Sequence, residues 1–179
     1  MAEYAKNLII YGSPKSNSFT AKLLKNELKD LDGDFDVFNC FETPPLPCDA
    51  CNACEVKNGC KHNDLDLFFK KFEAAKRVIF AFPVYNGSFP APLKALIDRF
   101  QWLYSARFCR NIKPPIKNQR ECILVITKGS DKDYTDIILE QIKPLFTISG
   151  CSLKKIVALK NTDNLSVSDI FMPIITNFD

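Results

Sequence analysis

Short apolar runs alternate along the chain with longer stretches whose apolar residues recur at helical spacing. Asn7–Tyr11 (NLIIY) is an apolar run that stops at Gly12, and over residues 20–31 Leu23, Leu24, Leu28 and Leu31 share one helical face. Residues 35–40 set Phe35, Val37 and Phe38 among polar neighbours and predict a strand, after which Pro44, Pro45 and Pro47 force an irregular connection. Residues 64–75 carry Leu65, Leu67, Phe68, Phe69 and Phe72 and predict a helix. Residues 77–82 (RVIFAF) are nearly all apolar, the mark of a strand buried on both faces. Behind Pro90, which a first helical turn tolerates, Leu93, Leu96, Ile97, Phe100 and Leu103 predict an amphipathic helix over residues 90–104. Residues 122–127 (CILVIT) form the next buried strand, and residues 134–148 are helical with a break expected near Pro144. Residues 153–159 are a last strand. Beyond Asn161 the tail is polar and then apolar around residues 170–175, a pattern that permits a short last helix.

Strands alternating with helices predict an α/β fold with a parallel sheet covered on both faces, and right-handed crossovers leave few topologies. The expectation is a five-stranded parallel sheet of order 2-1-3-4-5. At 179 residues the chain suits one domain spanning residues 1–179, with a cysteine-rich loop at residues 41–64.

Charge narrows the partners. The formal net charge is +3, with both signs interspersed; Lys70, Lys71 and residues 107–120 read as solvated, so nothing calls for nucleic acid. Residues 1–7 carry Glu3 and Lys6 and no apolar segment of export-signal length, and no run approaches the roughly 18 apolar residues of a membrane span. A cytoplasmic protein with reduced thiols is the expectation. Of the eight cysteines, Cys40, Cys109, Cys122 and Cys151 are scattered and read as small buried hydrophobes, whereas Cys48, Cys51, Cys54 and Cys60 crowd together.

Three constellations carry chemistry. Residues 12–20 (GSPKSNSFT) join the first strand to the first helix, where backbone N–H groups, hydroxyls and the helix dipole can hold a phosphate and Lys15 adds charge. The loop matches neither GxxxxGK[ST] nor GxGxxG, and an ordinary turn capped by Ser18 or Thr20 is the other reading. Residues 83–90 (PVYNGSFP) follow the third strand, which places them across the topological switch point from the first loop. Tyr85 and Phe89 offer flat surfaces to an aromatic ring and Gly87 admits a close approach; plain loop packing is the alternative. The quartet Cys48-x2-Cys51-x2-Cys54-x5-Cys60 can wrap one metal centre from a single loop. Its ligand count suits a [4Fe–4S] cluster, its spacing also permits zinc, and a reduced loop lining the site or a subunit contact is the remaining reading. His62, the lone histidine, reads as a solvated loop residue, Asp98 and Arg99 as a surface ion pair, and Trp102 as core or subunit contact.

Taken together, GSPKSNSFTAKLL, PCDACNACEVKNGCKHNDL and PVYNGSFPAPLKALIDR resemble the flavodoxin-like NADPH-dependent FMN reductases and their iron-sulfur flavoprotein branch, over about residues 7–130. The resemblance implies a flavodoxin-like three-layer sandwich. It implies FMN phosphate on Ser13, Lys15, Ser18 and Thr20 with Phe19 in the same loop, and the flavin ring near Pro83, Val84, Tyr85, Asn86, Gly87 and Ser88. Thr127, Lys128 and Gly129 fall at a third flavin loop. Arg99 with Asp98 resembles the family's helical Asp-Arg pair. The quartet would carry a [4Fe–4S] cluster beside the flavin, although relatives with similar cysteines resemble flavin-only reductases. The implied activity is an FMN-dependent NAD(P)H oxidoreductase acting on quinones, nitro compounds or free flavin, with flavin N5 as the reactive centre and no protein acid or base required. The alternatives are an electron-transfer flavoprotein with FMN and a cluster, serving protein or small-molecule donors and acceptors, and a cofactor-free interaction or metal-storage module. A homodimer or homotetramer is implied, with Phe89, Trp102 and Tyr104 as candidate contacts.

Overall fold

A computed structural model of the protein describes residues 4–166 and the backbone of residues 174–177. Along the chain come β1 (Asn7–Tyr11), α1 (Phe19–Leu28), β2 (Phe35–Asn39), α2 (Ala53–Val56), α3 (Asp66–Ala74), β3 (Arg77–Pro83), α4 (Ala91–Arg99) and α5 (Gln101–Phe108). Then follow β4 (Arg120–Thr127), α6 (Thr135–Ser149), β5 (Cys151–Leu159), a 3-10 turn (Thr162–Asn164) and β6 (Ile174–Asn177). The first five strands are parallel in the order 2-1-3-4-5, and β6 adds antiparallel to the outer edge of β5. At residues 174–177 the apolar tail is therefore a strand rather than the helix its composition permits, because the open edge of β5 presents unpaired backbone groups to it. The rest of that stretch lies outside the described residues.

Alternation along each strand splits the apolar side chains between two layers of helix. Leu8, Ile10, Val78, Phe80, Phe82, Leu124 and Ile126 face α3 to α6, against Phe68, Phe72, Leu93, Leu96, Phe100 and Ile142. Ile9, Tyr11, Ile79, Ala81, Ile123, Val125 and Val157 face the α1 side, against Ala21, Leu23 and Leu24. β3 and β4 lie in the middle and are buried on both faces, as their unbroken apolar runs require. Phe72 and Phe100 meet edge to face, ring centroids 4.9 Å apart. Truncating such a ring to alanine costs about 3–5 kcal/mol.

Local departures from the sequence reading have physical causes. The helix over residues 90–104 divides at Phe100, whose N–H turns to the Ile97 carbonyl at 3.1 Å in a tighter turn before α5 begins. α6 runs through Pro144 without a break. Both Pro144 and Glu140, whose carbonyl loses its N–H partner, are exposed, so water can satisfy that oxygen. Cys40 and Cys122 are buried and Cys151 is half-buried, but Cys109 is exposed at the end of α5 rather than packed in a core. Arg120 is buried rather than solvated: its guanidinium covers the Phe72 ring at 4.6 Å and donates to the Ser149 carbonyl. Lys71 is not free in solvent either, since it pairs with Asp36 at 2.6 Å. No helix among the described residues is long and apolar enough to cross a membrane.

Candidate cofactor-binding site

The first loop leaves the sheet at the switch point. The Gly12 amide donates to the Ala81 carbonyl of β3 at 2.8 Å, and a Cβ at Gly12 would stand 2.8 Å from Leu93 Cδ2 and 3.2 Å from Phe82 Cβ, so a larger residue would have to push the Leu93 side chain aside. Ser18 caps α1 by accepting from the Ala21 N–H at 3.2 Å, and the first turn of that helix has no acidic side chain. An anion would meet a favourable dipole and no local repulsion. The Tyr11 hydroxyl donates to the Lys15 carbonyl at 2.7 Å and lies 3.2 Å from Ser18 Oγ, folding the loop back over the strand end. Ser13 is buried with its Oγ 3.5 Å from Ser18 Oγ, whereas Lys15 is exposed. Thr20 turns inward, its Oγ1 2.6 Å from Thr127 Oγ1, and half-buried Phe19 packs on the α1-side core. Tyr11 is a site residue hidden from sequence reading by its place in an apolar strand.

In the second loop Tyr85 and Ser88 exchange two backbone hydrogen bonds, both 2.9 Å, around Asn86 (φ 51°) and Gly87 (φ 75°). Two successive left-handed residues make a type I′ turn, which an Asn-Gly pair favours. The Tyr85 ring is 46% exposed and available for stacking. Phe89 is not: it is 5% exposed and packs on Phe82, ring centroids 5.1 Å apart, which removes it both as a flat surface and as a subunit contact. The Ser88 hydroxyl donates to the Gln141 side chain at 2.7 Å. The Val84 N–H donates to the Thr127 carbonyl at 2.7 Å, and Pro83 pairs with Thr127 in the ladder, tying this loop to the third.

The third loop, where the sequence reading placed Thr127, Lys128 and Gly129, also brings in Tyr134, which that reading gave no place in the site. Tyr134 lies over Gly87, where an added Cβ would be 3.2 Å from its Cε1, and the Lys128 ammonium sits 5.0 Å from the Tyr134 ring. Lys128 is buried and its Nζ has no hydrogen-bond partner. Burial lowers its pKa, partly opposed by Asp133 at 3.9 Å. A Cβ at Gly129 would collide with the Asp163 carboxylate.

The cysteine loop curls through left-handed backbone at Ala50, Asn52 and Gly59. Cys48, Cys51, Cys54 and Cys60 all line one cavity of about 30 Å³, together with His62, Arg99, Trp102 and Ser105. Cys54 donates to Ser105 Oγ at 3.3 Å. Arg99 is no surface residue: its side chain is 1% exposed, donates to the Leu46 carbonyl at 2.9 Å and the His62 carbonyl at 3.1 Å, and pairs with Asp64 at 2.9 Å. Its neighbour Asp98 pairs with Lys94 instead. Arg99 thus clasps both ends of the loop. Burial pushes the Asp64 carboxyl up, but hydrogen bonds from Arg99 and the Leu46 backbone outweigh it and hold the group below the usual range. Asp49 accepts from Lys61 at 2.5 Å and lies 3.4 Å from His62 Nε2, so the histidine is tethered rather than solvated, and Lys61 above all keeps the Asp49 carboxyl low. The buried Arg99 Nε and Trp102 Nε1 have no hydrogen-bond partner. Four thiols and two unsatisfied N–H groups around one cavity are a donor set that fits an anionic metal–sulfur cluster. Among the described residues no three His, Cys, Asp or Glu side chains gather closely enough to hold a metal ion, so neither zinc nor a cluster finds its ligands already drawn together.

Comparison with known proteins places these features. The family model described as NADPH-dependent FMN reductase matches residues 5–161. An iron-sulfur flavoprotein of Methanosarcina thermophila is 36% identical over 94 residues, 50% of this chain and 49% of that protein. One from Methanocaldococcus jannaschii is 27% identical over 147 residues, 78% of this chain and 70% of that protein. The chain spans about half the length of the Methanosarcina relative it matches. Among solved structures, the FMN-dependent NADH-azoreductase of Bacillus anthracis in complex with FMN superposes with a TM-score of 0.62 at 17% identity, covering 91% of this chain and 90% of that one. The NAD(P)H:quinone oxidoreductase of Methanothermobacter marburgensis gives a TM-score of 0.66 at 13% identity, covering 87% and 84%. At such identities the likeness is one of fold, and the fold is flavodoxin-like.

Proposed function

Because the chain belongs to the NADPH-dependent FMN reductase family, we propose that it is an FMN-dependent oxidoreductase that draws electrons from NAD(P)H and passes them to a quinone, a nitro compound or free flavin. The observation that carries this reading is the joining of three strand-end loops at one switch point, through the Thr20–Thr127 side-chain bond and the Val84–Thr127 backbone bond. FMN supplies hydride and electron transfer when bound. The chain's own part is to bind and orient. The α1 amides, Ser13, Ser18 and Lys15 hold the phosphate, with Thr20 keeping the loop in place from beneath. Tyr85 and the turn through Asn86, Gly87 and Ser88 flank the ring beside Pro83 and Val84. Thr127, Lys128 and Gly129 close its other side, and the buried Lys128 charge favours an electron-rich ring. Titration with FMN and riboflavin tests the phosphate loop, since equal affinity overturns it. With FMN bound, failure of NADH and NADPH alike to bleach the flavin overturns the reductase.

The orphaned Arg99 Nε and Trp102 Nε1 favour a second role, that of an electron carrier with a [4Fe–4S] cluster on Cys48, Cys51, Cys54 and Cys60. Anaerobic expression with iron should yield about four irons and four sulfides per chain, lost in Cys51→Ser while FMN stays bound. Iron near zero with full FMN leaves a flavin-only reductase. A homodimer or homotetramer in the reducing cytoplasm suits all eight thiols being unpaired and the exposed Tyr104–Phe108 pair on α5, rings 4.5 Å apart. Sedimentation showing only a 20.3 kDa species would remove the oligomer.

A further inference from the structure

A second group of thiols lies at the opposite end of the sheet from the cofactor loops. Arg120 and Cys122 of β4 and Cys151 of β5 project from one face: Arg120 stands opposite Cys151 in the ladder, and Cys122 opposite Leu153, so the two cysteines are diagonal neighbours. Arg120 is 2% exposed, and although Nη1 donates to the Ser149 carbonyl, Nε and Nη2 are buried without a hydrogen-bond partner. A guanidinium keeps its charge in proteins, so burial without an anion is costly. The ionisable groups that face it are the thiols of Cys151 and Cys122 and the carboxylate of Glu73.

The sulfur of Cys151 is the one surrounded by donors. Ser149 Oγ donates to it at 3.3 Å, the Cys122 thiol is its diagonal neighbour across the ladder, and the Arg120 guanidinium, opposite it in the ladder, faces it. Burial pushes the Cys151 thiol up, but the bonds from Cys122 and Ser149 and the Arg120 charge outweigh it. Cys122 has the reverse setting: it is fully buried, and burial drives its thiol well up, so it keeps its proton. The serine donor and the cation gather at one sulfur while its neighbour is sealed in the core, the division of labour between an attacking and a resolving cysteine.

We propose that Cys151 and Cys122 form a redox-active dithiol that hydrogen peroxide converts to a disulfide, with Cys151 as the nucleophile held by Arg120 and Ser149. The Cys151 thiolate attacks one peroxide oxygen and breaks the O–O bond, giving a sulfenic acid and hydroxide, which takes a proton to become water. The Cys122 sulfur then attacks Cys151 and expels the sulfenic oxygen as a second water, with the Cys122 proton. Two thiols and one peroxide become one disulfide and two waters, and two electrons pass from sulfur to oxygen. A disulfide bond of about 2.05 Å between diagonal neighbours requires the strand ends to draw together. The ladder already shifts register next to Cys122, and Cys151 directly follows Gly150 in left-handed backbone (φ 68°), so this corner is the least regular part of the β4–β5 pairing.

The test treats the full-length protein with stoichiometric hydrogen peroxide, blocks remaining thiols with N-ethylmaleimide, and maps peptides without reduction. A linked pair containing Cys122 and Cys151 is expected, absent in Cys151→Ser. In Cys122→Ser, dimedone should trap a sulfenic acid at Cys151. Arg120→Gln should slow disulfide formation at least tenfold, while Arg120→Lys, which keeps the charge and guards against misfolding, should slow it less. Oxidation confined to Cys109 and the cysteine loop, with Cys122 and Cys151 recovered as maleimide adducts, overturns the proposal. So does a disulfide that forms as fast in Arg120→Gln as in the wild type.

Discussion

Thr20 Oγ1 lies 2.6 Å from Thr127 Oγ1, a buried hydrogen bond that joins the first turn of α1 to the end of β4 across 107 positions of sequence. Thr127 also gives its carbonyl to the Val84 N–H, so one residue holds the other two loops in register. Changing Thr20 to Val leaves the Thr127 hydroxyl buried without this partner, which costs about 1–3 kcal/mol. Replacing both threonines by valine should recover much of that stability, because two matched apolar groups remove the unsatisfied atom. Urea unfolding of the two single variants and the double variant measures the coupling; simple additivity would mean that the bond does not hold the loops together.

Lys15 is exposed in a loop whose hydroxyls bond one another, so in the proposed phosphate site its ammonium supplies the charge. Lys15→Ala should weaken FMN by roughly 10- to 150-fold, the worth of one charge-assisted hydrogen bond of about 1.5–3 kcal/mol, and leave riboflavin affinity unchanged. Fluorescence quenching titrations of the two flavins give both numbers.

Asp64 is the sole carboxylate paired with buried Arg99 among the described residues, and both anchor the start and end of the cysteine loop. Removing it strands a buried guanidinium, so Asp64→Asn should destabilise by roughly 3–5 kcal/mol. The folded-state pKa of Asp64 is depressed, so its contribution is complete above the ordinary carboxylate value near 3.9 and disappears as pH falls through the lower folded value. The stability gap between wild type and Asp64→Asn should therefore be constant from about pH 7 to 5 and shrink below about pH 4. A gap that persists at the acid end would show that the pair is not the source.

Trp102 packs edge-on against Phe69, centroids 5.4 Å apart, lines the cysteine cavity and carries a buried N–H without a hydrogen-bond partner. Trp102→Phe keeps most of that packing and deletes the donor. If the cavity holds a cluster, iron content should stay at the wild-type level while the midpoint potential falls, since a hydrogen bond to cluster sulfur favours the reduced, more negative form. Redox titration followed by electron paramagnetic resonance reads the shift, and an unchanged potential with full iron would place the N–H elsewhere.

Much of this architecture was legible from spacing alone. The apolar runs at Asn7–Tyr11 and Arg77–Pro83 read as buried strands, their alternation with helix stripes left few topologies, and the 2-1-3-4-5 order expected among these is the one observed, with its crevice between residues 12–20 and 83–90. The Asn86-Gly87 turn, not foreseen as such, is likewise a matter of residue types that accept left-handed backbone. These are properties of local chemistry and period, which sequence carries directly. Direction of side chains is different, because it depends on what lies across the gap. Phe89 went to the core, Arg99 turned from the surface into the cysteine loop, Arg120 sank onto Phe72, and Tyr11 and Tyr134 packed against the strand-end loops. Arg99, Arg120 and Tyr134 were decided by partners tens of residues away, and Tyr11 and Phe89 by nearer ones that only the folding of their loops brings into contact.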